Sequence, residues 1–342
     1  EKMKSMKKKN PGYSVVFALL LAVGLLLTAC GESETTEQQE NKTIETEQST
    51  LSQEANSAEE QSFPFTFTDA TDLEITIEQK PERIITLIPS NTEISFALGL
   101  GDNIVGVSDF DTYPEEVEEK DRIGGLTDIN VEKIVSLESD LVLAESTMIG
   151  SGGEKFDQLR DAGITAAVIP EANSFRDAYR TIELIAQATG TLDKGEEIIQ
   201  NMKDKIDETV AKVSDIPEEE RPKVWFEYDP TLWTAGNGTF INEMIELLNA
   251  ENVVGHLNGW FQFSEEEVIA LDPDVIIAAY GGTYTMDPVE EVYSRSSWAD
   301  ITAVKENRVY TVDPDVVQRP GPRLVEGLEQ FAQVIYPDIF PK

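Results

Sequence analysis

Two stretches of this chain are versions of one another. Residues 124–144 read GGLTDINVEKIVSLESDLVLA and residues 258–278 read NGWFQFSEEEVIALDPDVIIA, aligned without a gap at an offset of 134 positions. Gly125 falls on Gly259, Ile134 on Val268, Leu137 on Leu271, Asp140 on Asp274 and Leu143 on Ile277. Each copy places apolar residues at helical spacing, then an acidic turn, then an unbroken apolar run. Such runs suit parallel strands covered on both faces. A chain that writes one helix–turn–strand unit twice is held to two similar halves.

A second pair lies upstream. Strand Ile84–Ile88, a loop and helix Thr92–Leu98 lead to GDNIVG at 101–106; strand Val224–Tyr228, a loop and helix Phe240–Leu248 lead to AENVVG at 250–255. Ser90-Asn91-Thr92-Glu93 predicts a capping box at the first of these helices. Thr165–Ile169 and Arg308–Val312 supply one more strand to each copy. Alternating strand and helix predicts α/β lobes with parallel sheets. Between the copies, Ile198, Ile199, Met202, Ile206, Val210 and Val213 mark one face of a long helix from Leu192 to Val213, preceded by a shorter one, Phe175 to Thr189. The expected organisation is an N-terminal lobe over 63–190, a connecting helix over 191–215 and a C-terminal lobe over 216–342.

The first residues follow different rules. Lys2, Lys4 and Lys7 to Lys9 precede an apolar run, Val15 to Leu27, and then Leu27-Thr28-Ala29-Cys30-Gly31. A basic head, an apolar middle and small residues before a cleavage point make residues 1–29 a secretory signal, with Met3 and Met6 as candidate initiators. The apolar run is short of the about 20 residues a membrane span needs. Cys30 is the only cysteine, so no intrachain disulfide is possible. Its setting resembles the lipobox of bacterial lipoproteins, in which that cysteine carries the lipid. Residues 31–62 hold almost no large apolar side chains and are expected to be a disordered acidic tether spanning roughly 30 Å.

The formal net charge is −38, which argues against nucleic acid, whose binding needs Lys and Arg against phosphates. In parallel sheets, ligands bind beyond the carboxyl ends of the strands, and a cleft between lobes is a preferred site. The residues expected there are Phe110, Glu145 and Ser146 in the first lobe, and Trp233, Trp260, Tyr280, Tyr284, Arg319 and Arg323 in the second. The aromatics offer flat faces; the arginines offer bidentate grips for oxyanions, or else a structural ion pair at the last helix. His256 is the only histidine. There is no nucleophile elbow, no zinc set and no phosphate loop, so catalysis is not expected and no cofactor is implied.

Residues 80–337 resemble the substrate-binding proteins of ABC importers for ferric siderophores and cobalamin. The resemblance is carried by RIITL at 83–87, PSNTE at 89–93, the repeated SDLVL and DPDVII, Gly259-Trp260 and RPGPR at 319–323. It implies a class III α/β fold: two Rossmann-like lobes with parallel sheets joined by one long backbone helix. It implies a monomer holding a metal chelate in the cleft, and permease subunits as partners docked through one surface glutamate per lobe, here Glu154 and Glu266. Ferric siderophore, cobalamin and haem are the candidate ligands. The two arginines favour an anionic siderophore; Trp233, Trp260 and Phe110 suit a corrin, although Glu145-Ser146 stands where cobalamin-binding relatives place a bulky aromatic; Tyr280 or Tyr284 suits haem iron. A single histidine argues against free zinc or manganese. The rival reading is a lipid-anchored surface enzyme or adhesin on the same fold. Lipobox and family together place the protein on the outer face of a Gram-positive-like membrane.

Overall fold

A computed structural model describes residues 62–281 and 286–341. The signal segment, Cys30, the tether up to residue 61 and Tyr284 lie outside the described residues.

The chain enters on an antiparallel hairpin, β1 (Phe65–Thr68) and β2 (Glu74–Ile77). The first lobe follows: β3 (Ile84–Thr86), α1 (Pro89–Ala97), β4 (Ile104–Val107), β5 (Asp121–Arg122), α2 (Val131–Ser136), β6 (Leu141–Glu145), α3 (Ile149–Asp161) and β7 (Thr165–Ile169). Its five strands run parallel in the order β5-β4-β3-β6-β7. Two helices come next, α4 (Phe175–Thr189) and α5 (Leu192–Ala211). The second lobe contains β8 (Lys223–Glu227), β9 (Trp233–Ala235), α6 (Phe240–Leu247), β10 (Glu251–Asn252), β11 (Trp260–Gln262), α7 (Glu265–Leu271), β12 (Val275–Ala278), α8 (Pro288–Ser294), α9 (Thr302–Lys305), β13 (Val309–Thr311), α10 (Pro314–Gln318) and α11 (Leu324–Ile335). Four of these strands form a parallel sheet, β10-β8-β12-β13, and β9 pairs with β11 antiparallel. The α/β class with parallel sheets is the one expected.

The duplication is visible in the hydrogen bonds. The Asp140 carboxylate accepts the N–H groups of Glu82 at 2.8 Å and Arg83 at 3.0 Å, at the foot of β3. The Asp274 carboxylate accepts the N–H of Lys223 at 2.8 Å, at the foot of β8. Two residues before each aspartate the backbone turns left-handed, at Glu138 (φ 50°) and Asp272 (φ 43°). The repeat thus conserves a turn and the anchor that ties it to the neighbouring strand.

Apolar packing joins the lobes. One buried cluster runs from Ile84 and Ile94 through Ile182 and Met202 to Phe226 and Phe331. α4 and α5 approach closely at Gly195, where a Cβ would stand 2.6 Å from that of Ala186. Asn249 ties the exit of α5 to the second lobe through the carbonyls of Val213 and Ile216, at 3.0 and 2.9 Å.

The capping box expected at Ser90–Glu93 is not formed. Ile88 is the N-cap of α1 and makes no side-chain cap; Pro89 is the first helical residue, a place where its missing N–H costs nothing. The polar side chains turn inward and cross-link the lobe. Thr92 and Thr86 share a hydrogen bond of 2.7 Å, and Asn91 donates to the Ala144 carbonyl at 3.1 Å. A capping box is found instead on α7, between Ser264 and Glu267.

Candidate ligand cleft

The carboxyl ends of β6 and β7 and the start of α1 face the second lobe across a cleft of about 270 Å³. The first lobe supplies Pro89, Ser90, Glu145, Thr147, Glu171 and Asn173; the second supplies Tyr228, Phe240, Trp260, Gln318 and Arg319.

The second-lobe wall is aromatic. β11 pairs with β9 so that Trp260 lies opposite Ala235 and Gln262 opposite Trp233. Period-two alternation buries Thr234 and leaves Trp233 and Trp260 39% and 37% exposed. Trp260 meets Tyr228 edge to face, with ring centroids 5.2 Å apart. Tyr228, Asp229, Trp233 and Trp260 also line an adjoining hollow of about 350 Å³. Phe110 is 53% exposed on the loop after β4, with its ring edge against Gly125, and is not part of the cleft lining. The first-lobe wall is acidic. Glu145 ends β6 as a buried side chain, and burial followed by the nearby Glu171 charge pushes its carboxyl up to about 7. The Ser146 hydroxyl accepts the Glu171 N–H at 2.9 Å, so Ser146 shapes this wall without lining it.

Both arginines are engaged inside the protein. Arg319 lines the cleft, but its guanidinium reaches Glu93 at 3.2 Å, Asp315 at 2.8 Å and the Thr112 hydroxyl at 2.9 Å. Arg323 lies 4.0 Å over the Tyr113 ring, and its ion pairs run to Glu93 at 3.6 Å, Glu326 at 3.5 Å and Asp313 at 3.9 Å. Of the two readings given for Arg323, its surroundings are those of the structural ion pair: Glu93, buried on α1, stands against both arginines across the lobe boundary. Burial raises the Glu93 carboxyl against the lowering effect of Arg319 and Arg323.

Tyr280 does not line this cleft. It is buried, and its hydroxyl donates to Glu227 at 2.8 Å. Glu227, itself fully buried, also accepts two bonds of 2.8 Å from Arg295 and one of 3.3 Å from the Trp225 indole. Burial, then the Glu227 charge, holds the phenol well above its ordinary value. A phenol that resists ionisation beside a carboxylate is a poor iron ligand, so the haem reading loses Tyr280. Glu154 on α3 and Glu266 on α7 are both exposed, Glu266 in the first turn of its helix and Glu154 in the second turn of its own.

The sequence reading did not single out Tyr228, Phe240, Glu171, Asn173 or Gln318. The signal for Tyr228 was available, because it directly follows β8 at the cleft end. Glu171 stands two residues beyond β7, where the same rule applies.

The family described as periplasmic binding protein matches residues 84–316. The chain belongs to that family. Its members are solute-binding transport proteins, and three relatives narrow the kind. An uncharacterized ABC transporter substrate-binding lipoprotein of Bacillus subtilis, YvrC, is 38% identical over 97% of this chain and 99% of that one. A cobalamin-binding protein of Halobacterium salinarum is 30% identical, covering 80% of this chain and 75% of that one. Among solved structures, a possible iron-binding, periplasmic solute-binding protein of Staphylococcus epidermidis superposes with a TM-score of 0.68 at 36% identity, covering 75% of this chain and all of that one. The periplasmic binding protein fold thus accounts for both lobes and for the cleft between them.

Proposed function

We propose that the protein is the extracytoplasmic substrate-binding subunit of an ABC importer and that its cargo is a corrinoid. It acts as a carrier and not as a catalyst. The observation that carries this reading is the aromatic wall of Trp260 and Tyr228, continued by Trp233, which offers flat apolar surface to a large planar ligand. The arginines that inclined the sequence reading toward an anionic ferric siderophore have their charge met by Glu93, Asp315 and Asp313. They are therefore poorly placed to grip a ligand's oxygens. The Halobacterium relative, a cobalamin-binding protein, supports the corrinoid; the staphylococcal one, a possible iron-binding protein, supports a second reading, an iron chelate.

The test is quenching of tryptophan fluorescence. Cyanocobalamin is expected to quench the wild-type protein, and Trp260→Ala to weaken binding by about tenfold or more, since a buried aromatic contact is worth on the order of 1.5 kcal/mol. Binding of a ferric tris-catecholate in preference to cyanocobalamin would overturn the corrinoid. Absence of binding by any chelate would return the surface enzyme or adhesin. We further propose that Cys30 carries the lipid that holds the protein at the membrane, in keeping with its lipobox and with the lipoprotein relative. Cys30→Ala should then shed the protein into the medium, which fractionation reads directly.

A further inference from the structure

We infer that Glu145 and Glu171 select the charge of what the cleft accepts: the pair receives hydrogen-bond donors on the ligand's rim, admitting chelates edged with amide or ammonium groups and repelling those edged with oxyanions. The inference rests on the reading of the cleft as the ligand site.

Glu145 closes β6, a strand buried along its whole length, and its side chain is 7% exposed on the cleft wall. An ionised carboxylate withdrawn this far from water is normally paired with a cation. Among the described residues no Lys or Arg stands within ion-pair distance of it; its hydrogen-bond partner is the Thr147 side chain. β6 and β7 pair Glu145 with Ile169, and the chain then brings Glu171 to the same wall, fixed by its N–H on the Ser146 hydroxyl.

The other titratable groups lining the cleft are Tyr228 and Arg319 from the second lobe, while α1 and the lead into α4 contribute Pro89, Ser90 and Asn173, which are uncharged. Arg319 is the cleft's only cation among the described lining residues, and it is already met by Glu93 and Asp315. The wall therefore presents acceptors for which the protein supplies no free cation, and a ligand rimmed with amides supplies the donors.

The proton follows from this arrangement. With its carboxyl at about 7 in the empty cleft, Glu145 is about half protonated near neutral pH. A ligand that donates to the carboxylate favours the ionised form and lowers its pKa in the complex. Affinity then rises with pH up to about 7 and levels off above it. An oxyanion ligand gives the opposite slope.

The experiment titrates wild type, Glu145→Gln and Glu171→Gln with three probes: cyanocobalamin, ferrioxamine B with its free ammonium, and a ferric tris-catecholate. Tryptophan fluorescence is read from about pH 5.5 to about pH 8.5, where up to about tenfold per pH unit is available to one linked proton. For the wild type, about tenfold tighter binding at the alkaline end is expected for at least one of the first two probes, with the catecholate excluded. Glu145→Gln is expected to flatten the profile. Glu171→Gln, a change at an exposed position, is expected to shift its midpoint downward. Profiles that are flat in the wild type, or identical in wild type and variants, would overturn the inference while leaving the binding function intact. No quenching by any probe in any of the proteins would overturn both.

Discussion

Glu227 and Glu145 are both buried glutamates, and their surroundings give them opposite roles. Glu227 is satisfied by Arg295, Tyr280 and Trp225. Removing it takes the two-pronged partner from a buried guanidinium and leaves it only the longer contact to Glu291 at 3.7 Å, so Glu227→Ala is expected to destabilise the protein by about 3–5 kcal/mol, read as a lower urea midpoint. Glu145 lacks such company. Its carboxyl sits at about 7 against an ordinary 4.5, so the folded chain holds this proton longer than the unfolded one. Its contribution to stability is greatest below about pH 4.5 and is lost as pH rises to about 7, by roughly 3 kcal/mol. Glu145→Gln should remove that part of the pH dependence, measured by denaturation at several pH values. The sequence reading placed Glu227 within a strand and Glu145 just past the end of one, where it is in fact the last residue of β6. Their partners were not, because Arg295 lies 68 residues from Glu227 and nothing local announces it. Tyr280 was misread for the same reason: proximity to a strand's carboxyl end suggested the cleft, and a buried acceptor next door drew it inward.

At the scale of elements, the strands read most clearly. Four apolar residues with both faces covered, as in Val275–Ala278, leave little choice of structure. Ends were less legible. The run Ile84–Ile88 stops as β3 at Thr86, because Pro89 opens α1 directly after it. Polar residues before an apolar run signalled a cap at Ser90, where sheet contacts claimed them instead, whereas the box on α7 went unread. α6 is started by Thr239, whose buried hydroxyl accepts the Asn242 N–H at 3.2 Å and donates to the Gly236 carbonyl at 2.7 Å. Thr239→Ala should cost about 1–2 kcal/mol, seen as a lower melting temperature. Because Phe240 on the cleft wall is the first residue of that helix, ligand affinity should weaken with it.

For the molecule as a whole, the duplication made two lobes legible in the sequence. What joins them was less so: Glu93 and Arg319 are 226 residues apart and belong to different copies. We propose that Glu154 and Glu266, one on each lobe, meet the permease. Replacing both by lysine should abolish uptake while ligand affinity measured by fluorescence stays unchanged; undiminished uptake would sink the proposal. Phe63, near the start of the described chain, packs onto Gly190 at the elbow between α4 and α5, where a Cβ would stand 3.1 Å from its ring. Asn173, on the cleft, precedes the other end of α4, and fifteen helical residues span about 22 Å. The first described residues therefore lie well away from the mouth. With Cys30 as the proposed anchor, lengthening or shortening the segment before residue 62 should change how far the protein can reach and leave its grip alone, so that reach and grip can be adjusted separately.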